Sequence, residues 1–323
     1  MRILLTGATG FVGSQTARQL VADGHELRVS VRETSDLGPL ATLEHESVLA
    51  DLRDRSALDR ACSGVEAVVH VAGLTSAVNA RTYREVNGQG TRALAEAAVG
   101  AGVRRFVYVS SLAAMGPSAE AESPAAKPHP ITPYGRSKEA GEQALLARAG
   151  ELEVQVLRPP AVYGPRDTGL LPFFKMARRG YLLRFGDGRN RVSMIYAPDL
   201  AKAISTLLTA EAEQPAVFHV ADGGGSYTWR ELIDALGVAF GRSIRQIPLP
   251  PVVFNAVSHG SVLWARARGG APALDRSRFS ELSQSAWVCD SAALTEQTGW
   301  RPPTTLAAGL AETVTWYRQH GWI

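Results

Sequence analysis

The chain is poor in cysteine, in extended basic runs and in long apolar runs, and each shortage argues against a class of protein. Its two cysteines, Cys62 and Cys289, stand far apart without a spacing typical of metal ligands, so we expect reduced thiols, no metal site and a cytoplasmic location. The net charge of +3 includes no extended basic run, which argues against a nucleic-acid partner. No apolar run reaches the roughly 18 residues of a membrane span, so no transmembrane segment is expected.

What the 323 residues do contain, in their first half, is an alternation of short apolar runs with longer helical patterns. The apolar runs are rich in β-branched residues and apolar on both faces, as strands between two layers of helices must be. Strands are predicted at 2–6, 27–31, 47–50, 67–72, 106–110 and 154–158, and helices at 11–23, 54–63, 81–101 and 133–149. The alternation predicts an α/β fold with a doubly wound parallel sheet of the Rossmann type.

The composition changes after the first 160 residues, where glycine, proline and arginine become frequent. We predict a dinucleotide-binding domain over 1–162 and a smaller substrate-binding domain over 163–323, mixed but mostly helical, with a strand near 216–221 that returns to the first sheet. The polar loop 117–130 is expected to be mobile, and the apolar segment 251–267 is expected to form a lid or an interface helix.

A glycine-rich turn, "TGATGFVG", follows the first predicted strand and opens the first predicted helix. Gly7, Gly10 and Gly13 leave room for a pyrophosphate to approach the backbone at the positive end of the helix. A plain strand–helix turn would also use glycines, but the position in a strand–helix–strand unit favours a dinucleotide site.

Tyr134 and Lys138 stand four positions apart at the start of a predicted helix, with Thr132 as the predicted N-cap and Pro133 at the first helical position. Residues at this spacing share a helix face. A ketone that accepts a hydride needs a proton donor, and a tyrosine can serve if a nearby cation stabilises its phenolate. The alternative is an exposed Lys138–Glu142 pair, with Tyr134 as a packing aromatic residue.

The ordered motifs resemble the extended short-chain dehydrogenases/reductases, which are NAD(P)-dependent and include epimerases and dehydratases. The segments that carry the resemblance are "TGATGFVG", "ADLRD", "HVAG", "VNGQG", "VYVSS", "YGRSK" and the late "GWRPP". Within that family, "LRPPAVYGP" is most similar to the 3β-hydroxysteroid dehydrogenase and dihydroflavonol reductase branch.

The resemblance implies a role for a defined set of residues. Tyr134 and Lys138 would be catalytic together with Ser111, and Ser110 is the alternative one residue earlier. The implied cofactor contacts are Gly7, Thr9, Gly10, Phe11, Val12, Gly13, Arg32, Asp51, Leu52, Ala72, Gly73, Asn87, Tyr134, Lys138 and Pro159.

The choice of cofactor depends on the end of the second predicted strand. Arg32 occupies that place, and an arginine suits the 2′-phosphate of NADP, whereas an acidic residue would bind the ribose diol of NAD. Glu33 follows directly and could bind the diol if the loop were shifted by one residue. NADP is therefore the expected cofactor, and NAD is the alternative.

The reaction is predicted from departures from the nucleotide-sugar members of the family. Ala161 replaces their asparagine and Val192–Ser193 replaces their Asp–Phe pair, although Arg191, which can meet a diphosphate in them, is kept. The expected activity is a reductase/dehydrogenase that interconverts a secondary alcohol and a ketone. A nucleotide-sugar epimerase or dehydratase with bound NAD, and a non-catalytic dinucleotide-binding protein, are the alternatives. The predicted substrate contacts are Met115, Tyr163, Phe173 and Arg191.

Partners follow from the same resemblance. The substrate is expected to be a fairly apolar small molecule, because apolar residues occur in the loops at the predicted strand ends. The helices predicted near 81–101 and 133–149 lie where this family commonly forms a dimer, so a homodimer is expected.

Overall fold

The structure is a computed structural model, and it describes residues 1–184, 188–211, 213, 216–248, 280–281 and 284–323. The predicted lid or interface segment 251–267 lies outside the described residues. No helix within the described part is both long and apolar enough to cross a bilayer.

Fourteen strands occur in the described residues. They are β1 (Arg2–Thr6), β2 (Glu26–Val31), β3 (Glu46–Leu49), β4 (Ala67–His70), β5 (Arg105–Val109), β6 (Glu153–Arg158), β7 (Ala161–Tyr163), β8 (Tyr181–Arg184), β9 (Arg191–Val192), β10 (Met194–Tyr196), β11 (Ala216–His219), β12 (Tyr227–Thr228), β13 (Arg245–Pro248) and β14 (Ala286–Trp287). Seven of them form one parallel sheet in the order β11-β6-β5-β4-β1-β2-β3. The predicted doubly wound parallel sheet is confirmed.

The helices of the described residues are α1 (Phe11–Ala22), α2 (Arg55–Cys62), α3 (80–100), α4 (Leu112–Met115), α5 (Pro133–Leu146), α6 (Leu171–Arg178), α7 (Ala197–Thr209), α8 (Trp229–Phe240), α9 (Ala292–Thr298) and α10 (Leu306–Gln319). A short 3₁₀ turn covers Gly38–Leu40. The sequence predicts α3 as a plain helix over 81–101, but its middle part, Arg84–Gln89, is π-helical. A π-helical turn changes the direction in which its side chains point, and this turn contains Asn87.

Both faces of the main sheet are covered by helices. On one face Leu5 packs in a cluster with Leu20 of α1 and Ile204 of α7. On the other face Leu4, the preceding residue of β1, packs with Leu94 of α3 and Leu145 of α5. Neighbouring residues on a strand point to opposite faces, so this double cover requires the uninterrupted apolar runs of the sequence.

A separate apolar cluster forms in the second half of the chain. It contains Tyr163, Phe174 and Tyr196 together with Ile233 of α8 and Tyr317 of α10. The short sheets β10–β7, β12–β9–β14 and β13–β8 belong to this part. The domain boundary between 162 and 163 remains a prediction.

Candidate active site

The glycine turn after β1 has no room for side chains. Gly7 has a φ of +73°, and a Cβ there would lie 2.6 Å from the backbone nitrogen of Ala72. A Cβ on Gly13 would lie 2.0 Å from the carbonyl oxygen of Gly7. Gly10 caps α1 without a side-chain hydrogen bond, so the first amide groups of the helix have no side-chain acceptor from that cap. The bare backbone and the helix N-terminus form a cradle that fits a dinucleotide pyrophosphate.

The π-helical turn of α3 places Asn87 between two parts of the site. The Oδ1 atom of Asn87 accepts a hydrogen bond of 2.7 Å from the Leu74 amide. Its Nδ2 donates to the Leu74 carbonyl and to the Ser137 hydroxyl, at 3.0 Å each. Both donors of this buried amide are used, so Asn87 fastens the loop after β4 to α5.

A buried histidine, missed in the sequence reading, connects the glycine turn to Asn87. The hydroxyl of Thr91 donates to the Asn87 carbonyl at 2.6 Å, so it accepts from Nε2 of His70 at 2.9 Å. The Nδ1 atom of His70 then accepts from the Thr6 hydroxyl at 2.6 Å. Complete burial lowers the pKa of His70 to about 3, which keeps the ring neutral. The sequence signal was a lone histidine inside an apolar strand.

The proposed proton donor and its lysine lie at the start of α5. Thr132 caps the helix by accepting from the Gly135 amide at 3.1 Å, and Pro133 is the first helical residue, as predicted. Tyr134 is half-buried, with its ring centroid 5.9 Å from that of Tyr83. The side chain of Tyr134 therefore lies at the edge of the protein interior.

Lys138 is buried, with only 3% of its surface exposed. Its Nζ donates to the Val109 carbonyl at 2.8 Å and lies 4.3 Å from the centroid of the Tyr108 ring. Glu142 is buried as well, at 2%. The interpretation of Lys138 and Glu142 as an exposed surface pair is therefore wrong.

The two serines after β5 have different environments. Ser110 is buried and donates a short hydrogen bond to Oε1 of Glu142. Ser111 is half-buried and accepts from the Ala113 amide at 3.1 Å as the cap of α4. Because the Ser110 hydroxyl proton is used by Glu142, the geometry favours Ser111 over Ser110 as the third member of the site.

Glu142 and Arg158 form a buried ion pair at the end of β6. Their two hydrogen bonds measure 2.6 Å for Nη2–Oε2 and 3.0 Å for Nε–Oε1. Arg158 also donates to the sulfur of Met115 at 3.4 Å and to the Pro124 carbonyl at 3.1 Å. The loop 117–130 is predicted to be mobile, but Arg158 holds the middle of this loop, at Pro124, against the end of β6.

The electrostatics of the site centre on Lys138. Burial lowers the pKa of its amine to about 7, and the negative charge of Glu142 opposes that shift. Lys138 can therefore gain or lose its charge close to neutral pH.

The predicted cofactor-selecting residues lie after β2 and β3. Arg32 is exposed, and its backbone amide donates to the Ser35 hydroxyl at 2.9 Å. Asp51 binds Arg53 through bonds of 2.8 and 2.9 Å. The Arg53 guanidinium holds the pKa of Asp51 at about 2, and the charge of Arg32 contributes to the same lowering. Glu33 is exposed beside Arg32.

The other predicted cofactor contacts are distributed around the same sheet edge. Gly73 lies beside Asn87 and Lys138, since a Cβ there would be 3.1 Å from Oδ1 and 3.7 Å from Nζ. Leu52 packs against Gly90 of α3, and the Pro159 carbonyl accepts from the Leu112 amide at 2.8 Å. Thr9, Phe11 and Val12 belong to the turn and to the first residues of α1. The contacts of all these residues with a cofactor remain predictions.

The predicted substrate contacts do not share one environment. Met115 and Tyr163 are 1% and 0% exposed. The Phe173 ring packs edge-on against that of Trp229 at 5.9 Å, and Arg191 is exposed on β9, where its charge acts on Glu231. Arg191 is therefore accessible and Phe173 is partly accessible, whereas Met115 and Tyr163 are buried. All four assignments remain predictions.

A parallel sheet with a glycine cradle, a buried lysine and a tyrosine at its carboxyl edge defines a dinucleotide-dependent enzyme of the extended short-chain dehydrogenase/reductase type. The model of the NAD dependent epimerase/dehydratase family matches residues 3–221, and the chain belongs to that family.

Curated relatives and solved structures agree with this membership. The chain is 36% identical to a ceramide reductase of Caulobacter vibrioides over an alignment of 325 positions, which covers 99% of this chain and 96% of the relative. It is 29% identical to a 2-alkyl-3-oxoalkanoate reductase of Stenotrophomonas maltophilia, over 96% of this chain and 97% of the relative. The structure of DesIV, a dTDP-glucose 4,6-dehydratase of Streptomyces venezuelae with NAD and TYD bound, superposes with a TM-score of 0.80 at 28% identity, covering 100% of this chain and 98% of that one.

Proposed function

We propose that the protein is an NADP-dependent reductase/dehydrogenase that interconverts a ketone and a secondary alcohol on an apolar, lipid-like molecule. The observation that carries the proposal is the buried Lys138, held against the Val109 carbonyl one helical turn after Tyr134. A buried amine beside a tyrosine suits proton transfer to an oxygen that becomes negative during the reaction.

The residues of this chain would divide the reaction between them. Tyr134 donates its phenolic proton to the carbonyl oxygen during reduction and takes the proton back during oxidation. Lys138 stabilises the phenolate that Tyr134 leaves behind, because a nearby cation favours the charged form of the phenol. The Ser111 hydroxyl hydrogen-bonds the substrate oxygen and orients it. Asn87 fixes the loop that borders Lys138.

The dinucleotide, when bound, supplies or accepts the hydride. Gly7, Gly10 and Gly13 would hold its pyrophosphate, since the cradle they form admits only backbone. Arg32 would meet the 2′-phosphate of NADP, because its side chain is exposed and the neighbouring Asp51 is neutralised by Arg53. A free carboxylate at that place would instead favour the diol of NAD, and the exposed Glu33 is the residue that could provide it.

The names of the relatives support the substrate class. One relative is named for reducing ceramide and another for reducing a 3-oxo group on an alkanoate. Both names describe molecules that carry hydrocarbon chains. Ala161, where the nucleotide-sugar enzymes commonly carry asparagine, agrees with a substrate other than a nucleotide sugar.

A nucleotide-sugar dehydratase or epimerase with bound NAD is the second candidate. The DesIV structure and the exposed Arg191, whose charge could meet a diphosphate, favour it. A homodimer through α3 and α5 belongs to the proposal, and its mass in solution can be measured by sedimentation.

The discriminating experiment combines binding and turnover. The purified protein is titrated with NADPH and with NADH, and is then assayed with a 3-oxoceramide, a 2-alkyl-3-oxoalkanoate, UDP-glucose and dTDP-glucose. We expect tighter binding of NADPH and ketone-dependent loss of absorbance at about 340 nm. Tightly retained NAD, with conversion of a nucleotide sugar and no net change in cofactor absorbance, supports the second candidate instead.

A further inference from the structure

Glu142 is a buried charge that the proposed reaction does not use. It lies four positions after Lys138 on α5, so the two side chains share one face of the helix. Three hydrogen bonds hold its carboxylate, two from Arg158 and one from Ser110. Hydrogen bonds between a guanidinium and a carboxylate are among the strong ones in proteins, and this pair is buried.

We propose that Glu142 is a positioning residue of the active site, a fixed negative charge that favours the protonated form of Lys138 in the protein interior. Its relevance to catalysis rests on the proposed function, but its effect on Lys138 does not.

Two features of the surroundings support this role. The Nζ atom of Lys138 has a carbonyl oxygen and an aromatic ring as its neighbours, and neither carries a full negative charge. Burial opposes the protonated amine, and of the surrounding charges Glu142 is the one that acts in favour of it. Arg158 holds the carboxylate in place through a buried ion pair of 2.6 Å.

The other titratable groups around Lys138 do not replace this charge. On β4, His70 is neutral because complete burial lowers its pKa to about 3. On β5, the phenol of Tyr108 is buried, and burial raises its pKa. On α5 itself, Tyr134 is the group whose proton Lys138 would control. Arg158 on β6 is paired with Glu142.

The sequence makes a direct test possible because it contains four lysines, Lys127, Lys138, Lys175 and Lys202. The full-length protein is labelled with carbon-13 at lysine Cε, and the four signals are followed by NMR as the pH is varied, without substrate. A Lys138→Arg variant assigns the Lys138 signal. The three other lysines serve as internal controls in every sample.

We expect the Lys138 signal to titrate near pH 7 in the parent protein and about one pH unit lower in Glu142→Gln. The matched control is Glu139→Gln, which removes a more exposed carboxylate next to Lys138 on the same helix and should move the midpoint by less than about 0.3 units. Glu142→Asp, which keeps the charge, should restore most of the shift.

Glu142→Gln leaves Arg158 buried without its partner, so that variant can fail to fold. The double variant Glu142→Met with Arg158→Met removes both charges and fills the space, which buried ion pairs often tolerate. It should lower the Lys138 midpoint in the same direction. An unchanged midpoint in the double variant overturns the proposal. Because the readout needs no substrate, a failed search for activity leaves this result unaffected.

Discussion

The amine of Lys138 donates a hydrogen bond of 2.8 Å to the carbonyl oxygen of Val109, the last residue of β5. Ser111 follows Val109 by two positions, so one strand end fixes the lysine and carries the proposed serine. The sheet edge, and not a mobile loop, therefore determines the relative placement of the two. Rigid placement of this kind is what proton transfer over hydrogen-bond distance requires.

Substitution of Gly7 tests the phosphate cradle. We expect Gly7→Ala to weaken NADPH binding by at least about 100-fold, because the added methyl group meets the Ala72 backbone at 2.6 Å and displaces the turn. The matched control is Gly24→Ala, since Gly24 has a similar φ of +78° but no atom within 4 Å of the added methyl group. Gly24→Ala should lose about 1 kcal/mol of stability to backbone strain and keep normal binding. Equal binding by both variants contradicts the cradle.

The preference for NADP is tested at Arg32. Arg32→Ala should raise the dissociation constant of NADPH about tenfold or more and leave that of NADH within about twofold, because only NADPH presents a 2′-phosphate to the guanidinium. Arg60→Ala, an exposed arginine of α2, is the control for a general loss of positive charge. A parallel loss of both cofactors in Arg32→Ala contradicts the assignment.

The buried His70 should make stability depend on pH. Its pKa is lowered by burial to about 3, so the unfolded chain binds a proton at a pH where the folded chain does not. The free energy of unfolding should therefore fall as the pH decreases from about 6.5 towards 3, with a slope of up to about 1.4 kcal/mol per pH unit. His70→Gln should flatten this slope in urea unfolding measured between pH 7 and pH 5.

The control for that experiment is His320→Gln, which changes an exposed histidine stacked on Trp316. It should leave the slope of the parent protein in place. An identical slope in His70→Gln and the parent protein would show that His70 is not the group responsible.

The main sheet and the glycine turn could be predicted because local signals determine them. A short stretch of sequence is enough to recognise an apolar run that is covered on both faces, or three glycines at a strand–helix turn. The cap of α5 by Thr132 and Pro133 is equally local, and the structure has it as predicted.

The parts that the sequence did not reveal depend on contacts between distant positions. From its neighbours in sequence, Glu142 is predicted to be an exposed partner of Lys138. In the structure it is buried, because it binds Arg158, which lies 16 positions later, and Ser110, which lies 32 positions earlier. The sequence of Arg84–Gln89 does not indicate a π-helical turn either. The hydrogen bonds of Asn87 to Leu74 and Ser137, which lie outside the helix, stabilise this turn. Tertiary contacts of this kind override local propensity.

The role of Tyr134 as proton donor is tested most directly by NADPH oxidation with a 3-oxo lipid, measured for the parent protein, Tyr134→Phe and Tyr83→Phe. Tyr83 is the matched control, because its ring lies 5.9 Å from that of Tyr134 and its hydroxyl bonds the Thr75 carbonyl. We predict that Tyr134→Phe lowers kcat by about 100-fold to 10,000-fold, and that Tyr83→Phe stays within about threefold of the parent. A Tyr134→Phe variant with kcat within about threefold of the parent protein contradicts the assignment of Tyr134 as the proton donor.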